Sequence, residues 1–374
     1  MCCYDYAVTL DSKSPAQTSE ATVTTPVQPL DGASFGSTHD TSSFDSTISF
    51  EVMRIIEAAE QSIEEFSTHY FEGLHRWVPF YCPDRFGKDL VQHSASPTAK
   101  FSLLLLCMCL VMHNPSRTAS SPISHDALYF HAKTLFAQIQ VLRQPSIHLI
   151  QAGTFLSMYE YAHGNADTAL ASVDICARLA YRLGLNNKPT RLGWSESWNL
   201  WWALVVFERI YYCESSLTHV PLITAPPEET DFLPHEVGDC NGDPNMNPGF
   251  RIIPVNRAGI GCYGRAAQAA YLLDRVIQAV NTSHNAAPDQ VATLIYLDGE
   301  LQRLLSVTMN KCHEEWGVHC GAVGASIRCV ILEISLGIEP ICENGLETIH
   351  MRYRKYALES GLMLWPLCAA ERRS

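Results

Sequence analysis

Three groups of residues have types and spacing that chemistry could use. Gly259-Ile260-Gly261-Cys262-Tyr263-Gly264 has the G-x-G-x-x-G spacing of a dinucleotide cradle, in which glycines let backbone approach a pyrophosphate at a helix start. The strand that should enter it is poor, because Arg251 to Val255 is short and contains Pro254. No acidic residue stands at the required distance, and βαβ alternation is missing. Glycines at a helix start are the better reading. Cys312, His313, His319 and Cys320 are metal-ligating types. On a helix, Cys312, His319 and Cys320 share a face but spread over two turns. That is too far for one tetrahedral ion without a break at Gly317, and C-x2-C pairs are absent. No metal or other cofactor is assigned to this chain.

The third group lies at Trp198 to Arg209, WNLWWALVVFER. At helical spacing Trp198, Trp202, Val205 and Tyr212 share a face with Arg209. Trp201, Leu204 and Tyr211 share the adjacent stripe with Glu208. Both charges therefore sit within apolar stripes. Neighbours in sequence do not face each other on a helix, so each charge is expected to find a partner elsewhere. Glu160 or Asp174 would serve Arg209, or an indole face. Two readings stand: a structural ion pair in a core, which is favoured, and an aromatic wall lining an effector pocket. Asp174 and Arg178 are four apart, acid first, and read as an ordinary intrahelical pair.

Other reactions lack their signatures. There is no H-E-x-x-H, G-x-S-x-G, P-loop or aspartate-rich motif, and nothing local ties a serine, histidine and acid into a triad. The net charge of −13 opposes direct contact with nucleic acid, which needs clustered lysine and arginine. The longest apolar run, Phe101 to Met112, is too short to span a bilayer and suits a buried helix. No secretory signal is visible at the start. The fourteen cysteines are scattered through apolar helical pattern and read as reduced, buried and intracellular.

The elements that would position these residues are helices. Met53, Ile56, Ile63, Phe66 and Tyr70 recur at spacings of three, four and seven, which predicts one apolar helical face beginning near Phe50. Further helices are expected near 98–113, 125–143, 146–162, 166–183, 195–216, 262–281, 288–315, 319–337 and 345–364. Gly184 is placed to cap the fourth of these. No segment alternates as a strand should. The expected fold is all-α: one large multi-helix domain over 49–374, preceded by a disordered Ser/Thr-rich, linker-like segment over 1–48. In that segment 15 of the 37 residues from Asp11 to Thr47 are Ser or Thr. A long loop with seven prolines over 218–256 interrupts the helices.

The order of several short landmarks resembles the regulatory "middle homology" domain of fungal zinc-cluster transcription factors. YFEGLHRWVPF over Tyr70–Phe80 with Arg85-Phe86 is similar to the entry of that domain, and Leu103 to Val111 to its apolar second helix. Tyr129, His131, Ala132 and Lys133 follow, then Gln151-Ala152, Tyr159-Glu160 and His163-Gly164. Ala177-Arg178-Leu179-Ala180 runs to Leu185, and Trp201-Trp202, Glu208-Arg209 and Leu233-Pro234 close the series. The resemblance covers roughly Phe50 to Pro234. It implies a transcriptional regulator in the nucleus, often of a nutrient-use or secondary-metabolite pathway, and no enzyme. A helical biosynthetic enzyme and a ligand-free scaffold are the alternatives. The six closely spaced cysteines of that family's zinc cluster are not found, since the next cysteine after Cys2 and Cys3 is Cys82. Zinc is expected only if a cluster lies upstream. DNA would be reached through such a domain or through partners. Those partners would be the transcription machinery or a second subunit in a homo- or heterodimer, with a small-molecule effector as a further input and no membrane.

Overall fold

A helix that is apolar all round must be buried all round. Among the described residues three helices come close to that description, and the fold is arranged to cover them. In the computed structural model, residues 38–312 are described, except 77, 114–122, 190–194, 218–219, 238–248 and 282–287. Ten α-helices follow in order among them: α1 (Thr38–Ala58), α2 (Ile63–Glu72), α3 (Pro83–Ala95), α4 (Ala99–Met112), α5 (His125–Leu142), α6 (Ile147–Ala162), α7 (Ala166–Leu183), α8 (Glu196–Glu214), α9 (Cys262–Asn281) and α10 (Pro288–Cys312). The expected all-α class is what the described residues adopt. Their extended pairing is limited to one isolated bridge between Phe232 and Arg251.

Helices α4, α6 and α8 bury nearly every side chain. Helix α4 lies against α1, α2, α5 and α6; α6 lies against α4, α5, α7 and α8; α8 lies against α6, α7 and α9. Helix α10 packs on α9. Amphipathic α3 and α7 present one face to this centre: Phe86 and His93 from α3, and Val173, Cys176 and Ala180 from α7. Ser62, Ser124, Ser146 and Ser195 each cap a helix by accepting a backbone N–H at 3.1–3.2 Å. Gly184 closes α7 at φ +67°, with its own N–H on Tyr181 and that of Leu185 on Ala180, as expected. No described helix is long and apolar enough to cross a membrane.

Three local expectations change. The apolar series from Met53 to Tyr70 is divided between two helices. Glu60 takes φ +54° and Ser62 starts α2, although Ile56, Phe66 and Tyr70 all remain buried. Helix α1 begins at Thr38 rather than near Phe50. Tertiary contacts override the weak propensity of its Ser/Thr-rich start. Arg143 lies over the Phe44 ring at 4.6 Å, Asp45 accepts the Ala99 N–H at 3.1 Å, and Ile48 is buried. Helix α3 was not expected, yet Pro83 at its first turn is the residue best suited to start it. The segment over 1–37, the helices near 319–337 and 345–364, and the group His313, His319 and Cys320 lie outside the described residues.

A close helix contact runs through Gly153 of α6. A Cβ there would stand 2.3 Å from Cys176 Sγ and 2.8 Å from the Phe136 ring, whereas one on Gly87 of α3 would meet nothing. Gly153→Ala should therefore destabilise the protein by about 1–3 kcal/mol through overpacking. Gly87→Ala should gain up to about 1 kcal/mol from helix propensity. Thermal unfolding of both variants beside the parent reads the contrast, and equal melting of all three would refute this packing.

Candidate functional site

Helix α8 carries Glu208 and Arg209 into the centre of the fold, where neither has exposed surface. Their side chains meet after all: Arg209 Nη1 lies 2.7 Å from Glu208 Oε2. The Cβ directions diverge, as helical geometry requires, but both chains are long enough to bend onto the loop segment Ile223–Ala225. That segment supplies donors and acceptors together. Glu208 Oε1 accepts the Ile223 N–H at 2.5 Å, and Oε2 accepts the Thr224 N–H at 3.1 Å. The Thr224 hydroxyl donates to Glu208 and accepts from Arg209. Arg209 Nη2 donates to the Thr224 carbonyl at 3.1 Å.

The other partner of Arg209 is Asp274 of α9, at 3.1 Å from Nε and 2.9 Å from Nη2. It is neither Glu160 nor Asp174, nor an indole. Asp274 is 65 positions away in sequence, and nothing in the local pattern could have picked it out. Glu160 belongs to a second buried cluster. It accepts from Lys133 Nζ at 2.5 Å, the Tyr129 hydroxyl at 2.8 Å and the Ser172 hydroxyl at 2.6 Å, tying α5, α6 and α7 together. Asp174 is half-buried and Arg178 exposed. Burial and the Glu208 charge push the Asp174 carboxyl up to about 6, with Arg178 opposing.

The tryptophans bind backbone and one another. Trp198 and Trp202 both donate from Nε1 to the Phe232 carbonyl, at 3.2 and 3.1 Å, with their rings edge to face. Trp201 stands edge-on to Tyr181. Between them, Asn199 donates to the carbonyls of Pro79 at 2.7 Å and His235 at 2.9 Å, and accepts the His235 N–H at 2.8 Å. The long loop is thus fastened along one side of α8.

The glycine motif has a comparable explanation. Gly264 and Tyr263 donate backbone N–H groups to the Glu236 carboxylate, at 2.8 and 3.3 Å. A Cβ on Gly261 would fall 2.4 Å from that carboxylate. The anion position at the start of α9 is filled by a side chain of the protein itself, as the attraction of a helix N-terminus for negative charge allows. Among the described residues no group of three or more His, Cys, Asp or Glu side chains could hold a metal ion.

Sequence reasoning missed a polar chain at the other end of α8. Glu196 Oε1 accepts from Gln151 Nε2 at 2.7 Å, and Gln151 also donates to the Phe80 carbonyl. Arg85 Nε stands 3.5 Å from both Glu196 and Asp89. Asp89 accepts the Tyr81 hydroxyl at 2.8 Å and faces His148 Nε2 at 3.3 Å. Burial raises the Glu196 carboxyl to about 7, against Arg85 and Gln151, which favour its ionised form. Arg85-Phe86 and Gln151 were legible as landmarks, but their convergence on Glu196 was not.

Two outcomes are expected. Arg209→Met leaves two buried carboxylates without their cation and should cost about 3–5 kcal/mol in urea unfolding. Adding Asp274→Leu should recover part of that loss, and a parental midpoint for the single variant would mean the pairs contribute nothing. Glu196, with its folded-state pKa raised from 4.5 to about 7, contributes stability that is complete below about pH 4.5 and is lost as pH rises through about 7. Relative to Glu196→Gln, the parent should lose on the order of 3 kcal/mol across that window. Parallel stability curves for the two proteins would contradict the shift.

Comparison with known proteins gives one match. Residues 68–216 match the family model described as "Fungal specific transcription factor domain". No curated protein and no solved structure matches the chain. The matched segment starts within α2 and ends just after α8, so it contains all three fully buried helices. Over residues 68–216, less than half of its length, the chain is therefore similar to the fungal specific transcription factor domain.

Proposed function

We propose that this chain regulates transcription in the nucleus, with its helical domain receiving an input and passing it to partner proteins. The observation that carries this reading is the family match over residues 68–216, which contains the three helices whose side chains are nearly all buried. Net charge supports a division of labour. At −13 the chain is poorly suited to neutralise phosphates, so DNA is reached through an upstream zinc cluster or a partner subunit. Zinc belongs to such a cluster and not to the residues of this chain. The helical domain, which starts with α1 at Thr38, is the receiving unit.

The pathway controlled is one of nutrient use or secondary metabolism, in keeping with the usual work of such domains. The enzyme reading loses its main support. Its one nucleotide-like motif, Gly259 to Gly264, already holds the Glu236 carboxylate where a phosphate would sit.

The test is a tethering experiment. The full chain is fused to an unrelated DNA-binding domain in a fungal cell carrying a matched reporter. Reporter output should change several-fold in either direction, and a fluorescent fusion should accumulate in the nucleus. Output equal to that of the DNA-binding domain alone, at matched protein level, would sink the proposal.

A further inference from the structure

A cleft of about 440 Å³ opens between α1, α3, α4 and the α5–α6 junction, and none of its lining residues belongs to α8. That volume is in the range of small-molecule sites. Its walls expose more apolar than polar surface, and most of their charged groups are already engaged. Asp45 accepts the Ala99 N–H at 3.1 Å and faces Arg143 at 3.7 Å. Asp89 is held by Tyr81, Arg85 and His148. His93 accepts the Thr98 N–H on Nδ1 at 3.2 Å, so its proton sits on Nε2, toward the hydroxyls of Ser49 and Ser102. The ring is therefore neutral, in keeping with the downward effect of burial on its pKa.

Lys100 is the exception. It is half-buried in the cleft wall, and among the described residues no carboxylate lies within ion-pair reach of its ammonium. Asp45 acts on it only from a distance, while burial and the Arg143 charge lower its pKa. Lys100 is also the second residue of α4, where the helix dipole adds positive potential. Arg143 lines the same cleft. Two cations and a helix N-terminus thus converge on a space large enough for a ligand, and one of those cations lacks a counter-ion.

We propose that this cleft binds a small polar metabolite carrying one anionic group, a carboxylate or a phosphate ester, which pairs with Lys100 and Arg143. The two wall carboxylates, Asp45 and Asp89, limit the ligand to a single anionic group, since a polyanion would face like charge. Gln92 and Gln144 offer neutral hydrogen bonds to hydroxyls on the remainder. Occupancy has a route into the domain. Asp89 in the wall shares Arg85 with Glu196, the first residue of α8. The regulatory meaning of that route rests on the transcriptional reading above, whereas binding itself does not.

The test titrates the purified full chain with gluconate, glycerol phosphate and neutral sorbitol, at constant ionic strength, by calorimetry. Saturable binding of gluconate alone assigns a carboxylate ligand, and of glycerol phosphate alone a phosphate ester. Sorbitol should give none. Lys100→Gln should weaken binding about tenfold or more, the effect of losing one charge-assisted hydrogen bond, while Lys100→Arg keeps it. Acetylation of Lys100 in the unaltered protein, read by mass spectrometry, should be slowed by the same probe, whether or not the variants fold. No saturable binding of either anion, no protection of Lys100, or equal affinity in a well-folded Lys100→Gln protein each overturns the proposal. Binding that persists in a chain inactive in the tethered reporter upholds the cleft and removes the regulator reading alone.

Discussion

Three charged groups, Glu208, Arg209 and Asp274, are held out of water at the junction of α8, α9 and the segment that joins them. Desolvating ions is costly, and only good geometry with saturated hydrogen bonding offsets it. Much of the surrounding structure follows from that requirement. The turn at Ile223–Ala225 must approach α8 closely enough to give Glu208 its N–H donors. Helix α9 must lie with Asp274 facing inward. The long loop between α8 and α9 is ordered at these points because the charges have no other partners.

The same logic applies to α4 and α6. Apolar side chains stand on every face of both helices, so hydrophobic burial alone does not choose their rotation. Directional links supply that choice. Asp45 of α1 fixes the start of α4, and Glu160 of α6 gathers Lys133, Tyr129 and Ser172 from α5 and α7. Asn199 fastens α8 to the backbone at Pro79 and His235. Polar groups here specify a single arrangement, while apolar area supplies the drive to collapse.

Sequence patterning reached the helices because their causes are local. Apolar runs, serine caps and Gly184 all act within a few residues. The break at Glu60 was hidden because the apolar spacing continues across it, so that Ile56 and Phe66 face the same core from different helices. The start of α1 was hidden because its support comes from α4 and Arg143, far along the chain. The core of the candidate region was legible as a problem, two charges among indoles, but not as a solution. Asp274 and Thr224 lie on segments that only the fold brings near. The polar chain from Asp89 to Glu196 was invisible for the same reason, since each member looks like an ordinary surface residue.

The Arg209–Asp274 contact also bears on where a module of this kind ends. Family resemblance stops at residue 216, yet the counter-ion of the last matched helix stands on α9. Tyr263, also beyond that limit, donates its hydroxyl to the Asn199 carbonyl at 2.5 Å. A fragment cut at the edge of the recognisable region would expose a cation and carboxylate evolved for dry surroundings, with an unsatisfied backbone beside them. The recognisable segment and the packed unit are therefore different lengths of chain, and the part beyond residue 216 is bound to the part before it by electrostatic need.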